Sequence, residues 1–188
     1  MSELVFFLEE PSAEALLSIM VPKLLPDTPL RFVVFEGKQD LEKQMVRRMR
    51  GYLVPGAKFV VLRDQDAADC HSVKRTLRKR CDEAGRPDAL VRIACRELES
   101  WYLADLAAVE KGLRVGRLAR LQEKAKFCAP DHLGSPAREL RRIAPMYQKI
   151  GGSRAIAPHL DLDNRRSTSF AHFVSAILKL HADLSRRS

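Results

Sequence analysis

The first half of the chain changes its hydrophobic period repeatedly. "LVFFL" (4–8) is a short apolar run closed by Glu9 and Glu10, which predicts a buried strand. Residues 12–25 then carry Ala15, Leu16, Ile19, Met20 and Leu24 at helical spacing. "RFVVF" (31–35) predicts a second strand stopped by Gly37, and "QDLEKQMVRRMRG" a helix closed by Gly51. "AKFVVL" (57–62) predicts a third strand. Val73, Leu77 and Cys81 mark one face of a helix ended by Gly85 and Pro87, and "ALVRIA" (89–94) reads as a fourth strand. "RELESWYLADLAAVEKGL" (96–113) reads as one helix.

Strands alternating with helices over short connections predict an α/β fold, a mostly parallel sheet with helices on both faces. Beyond Gly112 the strand signals cease. Residues 116–126 and 136–149 read as helices around a "CAPDHLGSP" loop. Phe170, Phe173, Val174, Ile177 and Leu178 form the apolar stripe of a last helix, capped by Ser167 or Ser169. The expected organisation is a single domain, an α/β core over 1–112 with a helical C-terminal extension over 113–188. Trp101, Phe170 and Phe173 are expected in the core rather than as stacking platforms.

A chain of 188 residues buries roughly two-thirds of its unfolded surface, so it needs no disulfide or structural metal to fold. No apolar run approaches the ~20 residues of a membrane span, and "MSELVFFLEE" lacks the basic start of a secretion signal. A cytoplasmic protein is expected, with reduced thiols at Cys70, Cys81, Cys95 and Cys128. None of these forms a C-x-x-C pair, and the adjacent Cys70 and His71 do not make a zinc pattern. The net charge of +9 and basic clusters in "KQMVRRMRG", "KRTLRKR" and "RELRR" favour an anionic partner, nucleic acid or nucleotide foremost.

The acids change the picture most, because they stand at strand ends. Glu9 and Glu10 follow the first predicted strand, Glu36 the second, Asp64 and Asp66 the third, and Glu97 and Glu99 the fourth. Sites in open parallel sheets form at the carboxyl ends of the strands. Carboxylates converging there repel one another and raise each other's pKa, a conflict that a hard divalent cation resolves. In an extended segment Asp64 and Asp66 point the same way, so both are expected to reach one ion. Lys38, just after Gly37, is a candidate phosphate contact. The competing readings are helix capping by Asp64 or Asp69 and a helix-dipole role for Glu97. His159, Asp161 and Asp163 form a second acidic group, read as a loop and cap arrangement. If the chain folds back, it joins the active edge, with Arg165 and Arg166 on phosphate.

"VFFLEEPSAEALL" followed by "FVVLRDQDAAD" resembles the TOPRIM domain of topoisomerases, bacterial primases, recombination-repair factors and nucleases of the overcoming-lysogenization-defect (OLD) type. Glu10 and Glu14 match its two glutamates, and Asp64 and Asp66 its D-x-D. Pro11 stands where Gly is usual, and Ala13 where Thr or Ser is usual. "FEGKQDL", "ELESWYLAD" and "RRSTSFAHFVSAI" extend the resemblance almost end to end, to a bacterial TOPRIM-like domain-of-unknown-function family (DUF4276). That family is related to OLD-family nucleases and often encoded beside AAA/ABC-type ATPases.

The resemblance implies one or two Mg²⁺ (or Mn²⁺) ions held by Glu10, Asp64 and Asp66, with Glu14 and Glu99 as further ligands or as groups that support the ligands. It also implies metal-dependent hydrolysis of nucleic acid, with Glu10, Asp64 and Asp66 catalytic, in an ATPase-linked anti-phage defence system. The alternative is a non-catalytic metal- or nucleotide-binding regulatory partner of such an ATPase. A receiver domain also places acids after its first and third strands, but it has no need of Asp66 or of the fourth-strand acids.

Overall fold

The computed structural model describes residues 3–185. Four strands, β1 (Leu4–Leu8), β2 (Leu30–Val34), β3 (Lys58–Asp64) and β4 (Leu90–Ala94), form one parallel sheet in the order β2-β1-β3-β4. All five residues of β1 are fully buried. That is why "LVFFL" shows no polar alternation: a central strand of a parallel sheet is covered on both faces.

The two-residue period of the strands sorts their side chains into two layers. Val5, Phe7, Phe59, Val61, Val91 and Ile93 face α2 (Lys38–Arg50) and α3 (Cys70–Glu83), which contribute Leu41, Met45, Met49, Val73 and Leu77. Leu4, Phe6, Leu8, Val60 and Leu62 face α1 (Pro11–Leu24) and the helices that follow β4. Neighbouring strands β1 and β3 thus send their following helices, α1 and α3, to opposite faces. The crevice between their carboxyl ends is the switch point at which open α/β sheets bind ligands.

The helical half differs from expectation in its breaks. Residues 96–113 form two helices, α4 (Glu99–Leu103) and α5 (Leu106–Leu113). Asp105 interrupts them, its carboxylate accepting the Ala108 N–H at 3.0 Å as an N-cap. Residues 116–126 contain a 3₁₀ turn (Ala119–Glu123) and the start of α6 (Ala125–Cys128). The helix expected over 136–149 is α7 (Pro136–Ile143), ending before Pro145, whose ring disfavours a helical residue ahead of it. A helix absent from the sequence reading, α8 (Lys149–Ile156), follows. The last helix is α9 (Thr168–Ser185), with Ser167 Oγ accepting the Phe170 N–H at 3.1 Å as its cap.

These later helices share the β1–α1 core. Leu118, Phe127, Leu140, Ile156 and Phe173 belong to the same hydrophobic cluster as Leu4 and Leu16. Trp101 is buried there, its ring 5.3 Å from Phe170 and 5.2 Å from Phe173. None of the helices is long and apolar enough to cross a membrane, among the described residues.

Helices α5 and α8 touch through backbone at Gly112, where an added Cβ lies 2.5 Å from the Ala155 carbonyl oxygen. Gly112→Ala is therefore expected to destabilise the fold by about 1–3 kcal/mol through overpacking, measured as a lower urea midpoint. An unchanged midpoint contradicts this close contact.

Candidate active site

Strand β1 runs out at Leu8, and the chain passes through Glu9 and Glu10 into α1. Glu10 is the N-cap residue, extended at φ −146° and ψ 159°, and Pro11 opens the helix. Proline suits that first position, since its fixed φ is helical and its missing N–H would be unpaired there anyway. The Glu10 carboxylate accepts hydrogen bonds from Ser12 Oγ and from Lys149 Nζ, the latter at 2.9 and 3.2 Å.

Asp64 ends β3, the neighbour of β1, so it stands beside this turn. Its backbone N–H donates to Glu9 Oε2 at 3.1 Å, tying the two strand ends together. Arg63, buried, backs Glu9 at 3.8 Å and pairs with Glu42 of α2. Burial pushes the Asp64 carboxyl well above its ordinary range. The charges of Glu10, Glu9 and Glu99 push it further, against a hydrogen bond from the Leu98 backbone. Burial also raises Glu9, with Asp66 and Glu10 adding to it and the Asp64 amide and Arg63 opposing.

Glu99 opens α4 and is 1% exposed. The Tyr147 hydroxyl donates to its Oε1 at 3.1 Å, while Oε2 is buried without a hydrogen-bond partner. Burial is the main cause of its raised pKa, Glu10 adds to it, and Lys149 opposes. Burial likewise raises the phenols of Tyr102 and Tyr147, which stay protonated donors.

Lys149 is the functional candidate that the sequence reading missed. It opens α8, and its ammonium donates to the Glu10 carboxylate. Burial alone would lower its pKa, but Glu99, Glu10 and Asp64 outweigh that and raise it. Its position depends on Gly152, where an added Cβ would lie 2.4 Å from the Tyr147 ring. The glycine thus lets Tyr147 lie against α8 and reach Glu99.

Asp66 goes its own way. The strand stops at Asp64, and Asp66 has φ +57°, a left-handed conformation that aspartate adopts more readily than most residues. The segment is therefore not extended through Asp66, and the expected common direction of the two side chains is lost. Asp66 pairs instead with Lys38 at 2.8 Å, both partners substantially exposed. Gly37, at φ +92°, makes the turn that delivers Lys38 to it. The loops after β3 and β4 also interlock: Asp66 N–H donates to Arg96 O at 2.8 Å and Gln65 N–H to Ala94 O at 2.9 Å.

Other acids are engaged structurally. Glu97 accepts the Ala137 N–H at 2.7 Å, capping α7, and Asp69 accepts the Ser72 N–H at 2.8 Å, capping α3. Glu36 is exposed. Glu14 has no hydrogen bond or ion pair among the described residues and is not among the leading charges acting on Asp64. Asp161 accepts the Asp163 N–H at 3.0 Å within its own loop, and Arg165 lies 3.8 Å from Asp163. Among the described residues, no three His, Cys, Asp or Glu side chains stand together as ligands for one ion. The site as it stands is an acid cluster, Glu9, Glu10, Asp64 and Glu99, with Lys149 paired to Glu10, Arg63 behind Glu9 and an Asp66–Lys38 pair at its rim.

No curated protein matches the chain. Among solved structures, the C-terminal region of the Burkholderia pseudomallei OLD protein is similar over 95% of this chain and 98% of that one, with a TM-score of 0.59 at 13% identity. The C-terminal region of the Xanthomonas campestris pv. campestris OLD protein is similar over 97% of both chains, with a TM-score of 0.52 at 15% identity. At such identities the likeness is one of fold. One family model matches residues 8–178, and by that match the chain belongs to the family described as a domain of unknown function, DUF4276.

Proposed function

We propose that the chain hydrolyses phosphodiester bonds of nucleic acid at the Glu10–Asp64–Glu99 edge, with a divalent cation, Mg²⁺ or Mn²⁺, as cofactor. The observation that carries this reading is the Glu99 oxygen buried without a partner, in a cluster where neighbouring carboxylates add to the raised pKa of Asp64 and Glu99. Unmatched carboxylates are costly to bury, and their hard oxygens suit such an ion. Glu10, Asp64 and Glu99 would hold it, with Asp66 joining from its exposed pair with Lys38. Such pairs are worth only about 0–1 kcal/mol and exchange partners at little cost. Glu14 is proposed as an outer ligand on the resemblance of the sequence motif alone.

When bound, the ion would polarise the phosphate and acidify a water molecule. The protein's own groups do the rest. The Lys149 ammonium supplies positive charge where negative charge grows on the phosphoryl oxygens. Lys38, released by Asp66, meets a neighbouring phosphate. Glu9 acts as a positioning residue, fixing the Asp64 backbone against β1. Membership in the family and the OLD-like fold support this reading; anti-phage defence and an AAA/ABC-type ATPase partner are its proposed setting.

A second reading rests on Lys149 and Lys38, which already pair with Glu10 and Asp66, and on the lack of a grouped three-ligand set among the described residues. On that reading the chain is a non-catalytic regulatory partner of the ATPase. The deciding experiment is cleavage of labelled DNA and RNA with Mg²⁺ or Mn²⁺ and a chelator control. Asp64→Asn and Glu99→Gln are expected to lower the rate by at least about 100-fold. Absence of cleavage with wild type alone and with its ATPase supports the regulatory reading.

The electrostatics give a separate expectation for the cation-free protein. The Asp64 carboxyl titrates higher in the folded than in the unfolded chain. Its contribution to stability is therefore complete below the unfolded value, near 3.8, and is lost as pH rises through the folded value. In EDTA, Asp64→Asn should melt at least about 2 °C above wild type at pH 7, the gap closing as pH falls toward 4. A lower melting temperature than wild type at pH 7 would contradict the repulsion.

A further inference from the structure

Strand β4 is an edge strand, and a groove of about 360 Å³ runs beside it between α3 and α9. Lys74, Arg92, Cys95, Thr168, Ser169 and His172 contribute to its lining. The solvent face of α3 continues from it with Arg75, Arg78 and Lys79 at helical spacing. Lys38, Lys58, Arg63, Lys126 and Lys149 each stand against a carboxylate, while other exposed cations such as Arg47, Lys111 and Lys124 form no ion pair among the described residues. Lys74, Arg75, Arg78, Lys79 and Arg92 form no ion pair among the described residues.

Acids near this row, Asp69, Asp82 and Asp131 among them, form no ion pair with it among the described residues. Asp82 lies at its far end. Asp131 is held by the Ser169 N–H at 2.8 Å and the Ser167 hydroxyl at 2.7 Å. Arg92 is the most telling member. It is half-buried on β4, its Nη1 donates to the Val91 carbonyl at 2.8 Å, and its Nε is buried with no partner. Burial and the neighbouring Arg78 both act against its charge. A guanidinium kept in that position, beside a row of unpaired cations, fits an anion that arrives from outside.

We infer that the α3–β4–α9 groove seats the phosphate backbone of a nucleic acid strand, with Arg92 and Lys74 at the groove and Arg75, Arg78 and Lys79 along its rim. The row holds more positive charge than one mononucleotide needs. The groove lining has no Phe, Tyr or Trp on which a base would stack. Contact of this kind is independent of base sequence and strongly dependent on salt. The inference rests on nucleic acid as the substrate class of the proposed function, but not on hydrolysis.

The test is fluorescence anisotropy in EDTA with labelled single strands and duplexes of about 20 nucleotides, between about 50 and 200 mM salt. Wild type is compared with Lys74→Ala/Lys79→Ala and with Lys111→Ala/Lys124→Ala, a control pair of exposed lysines on α5 and before α6. The groove variant is expected to bind about tenfold more weakly, with the duplex salt slope shallower by about 1.8, or about 0.9 per lost phosphate contact. The control should match wild type. No binding by wild type, or an equal loss in the control, overturns the inference. So does a groove substitution that weakens binding of ATP or inorganic phosphate, added as competitors, but not of the labelled strands, which would assign the groove to a mononucleotide. Because EDTA removes divalent cations, binding is read whether or not the protein cleaves.

Discussion

Mutual repulsion among Glu10, Asp64 and Glu99 is the constraint on which the carboxyl edge of this sheet is built. Parallel strands β1 and β3 bring the first two acids together at the switch point, and the β4–α4 connection adds the third in a nearly water-free position. Such a cluster is costly to bury in its charged form without a compensating charge. Lys149 supplies it, 139 residues along the chain from Glu10.

The helical half is organised around delivering that lysine. Helix α8 lies against α1 and α5, with Gly112 and Gly152 removing the side chains that would hold α5 and Tyr147 away. The Tyr147 hydroxyl then orients Glu99, and the Tyr102 hydroxyl donates to Ser153 Oγ at 2.7 Å, fixing α8 to α4. The acids on the sheet and the base from the helices therefore share one hydrophobic cluster and respond to the same packing. An added ion would act on a site already shaped by a cation of the protein's own.

Much of this was legible in the chain. The apolar runs of β1, β3 and β4 are buried on one or both faces and that of the edge strand β2 only in part, and Glu10, Asp64 and Glu99 were legible as acids at strand ends. The helix breaks were weaker signals. Asp105 before "LAAV" is an N-cap and Pro145 a stop, but continuous apolar periodicity masked both. Lys149 was hidden because "KIGGSRAI" carries a Gly-Gly pair that reads as a break, whereas Gly152 meets an aromatic ring. The left-handed turn at Asp66 was hidden for another reason: D-x-D looks extended until the loops after β3 and β4 interlock.

The central claim is that the acid cluster is a cation site held by Lys149 in the ion's absence. The most direct measurement is calorimetric titration of Mn²⁺ into wild type and Asp64→Asn at neutral pH. The account predicts saturable binding by wild type, lost or weakened by at least about tenfold in the variant, an energy of about 1.4 kcal/mol or more. Equal binding by both proteins, or none by wild type, would contradict it.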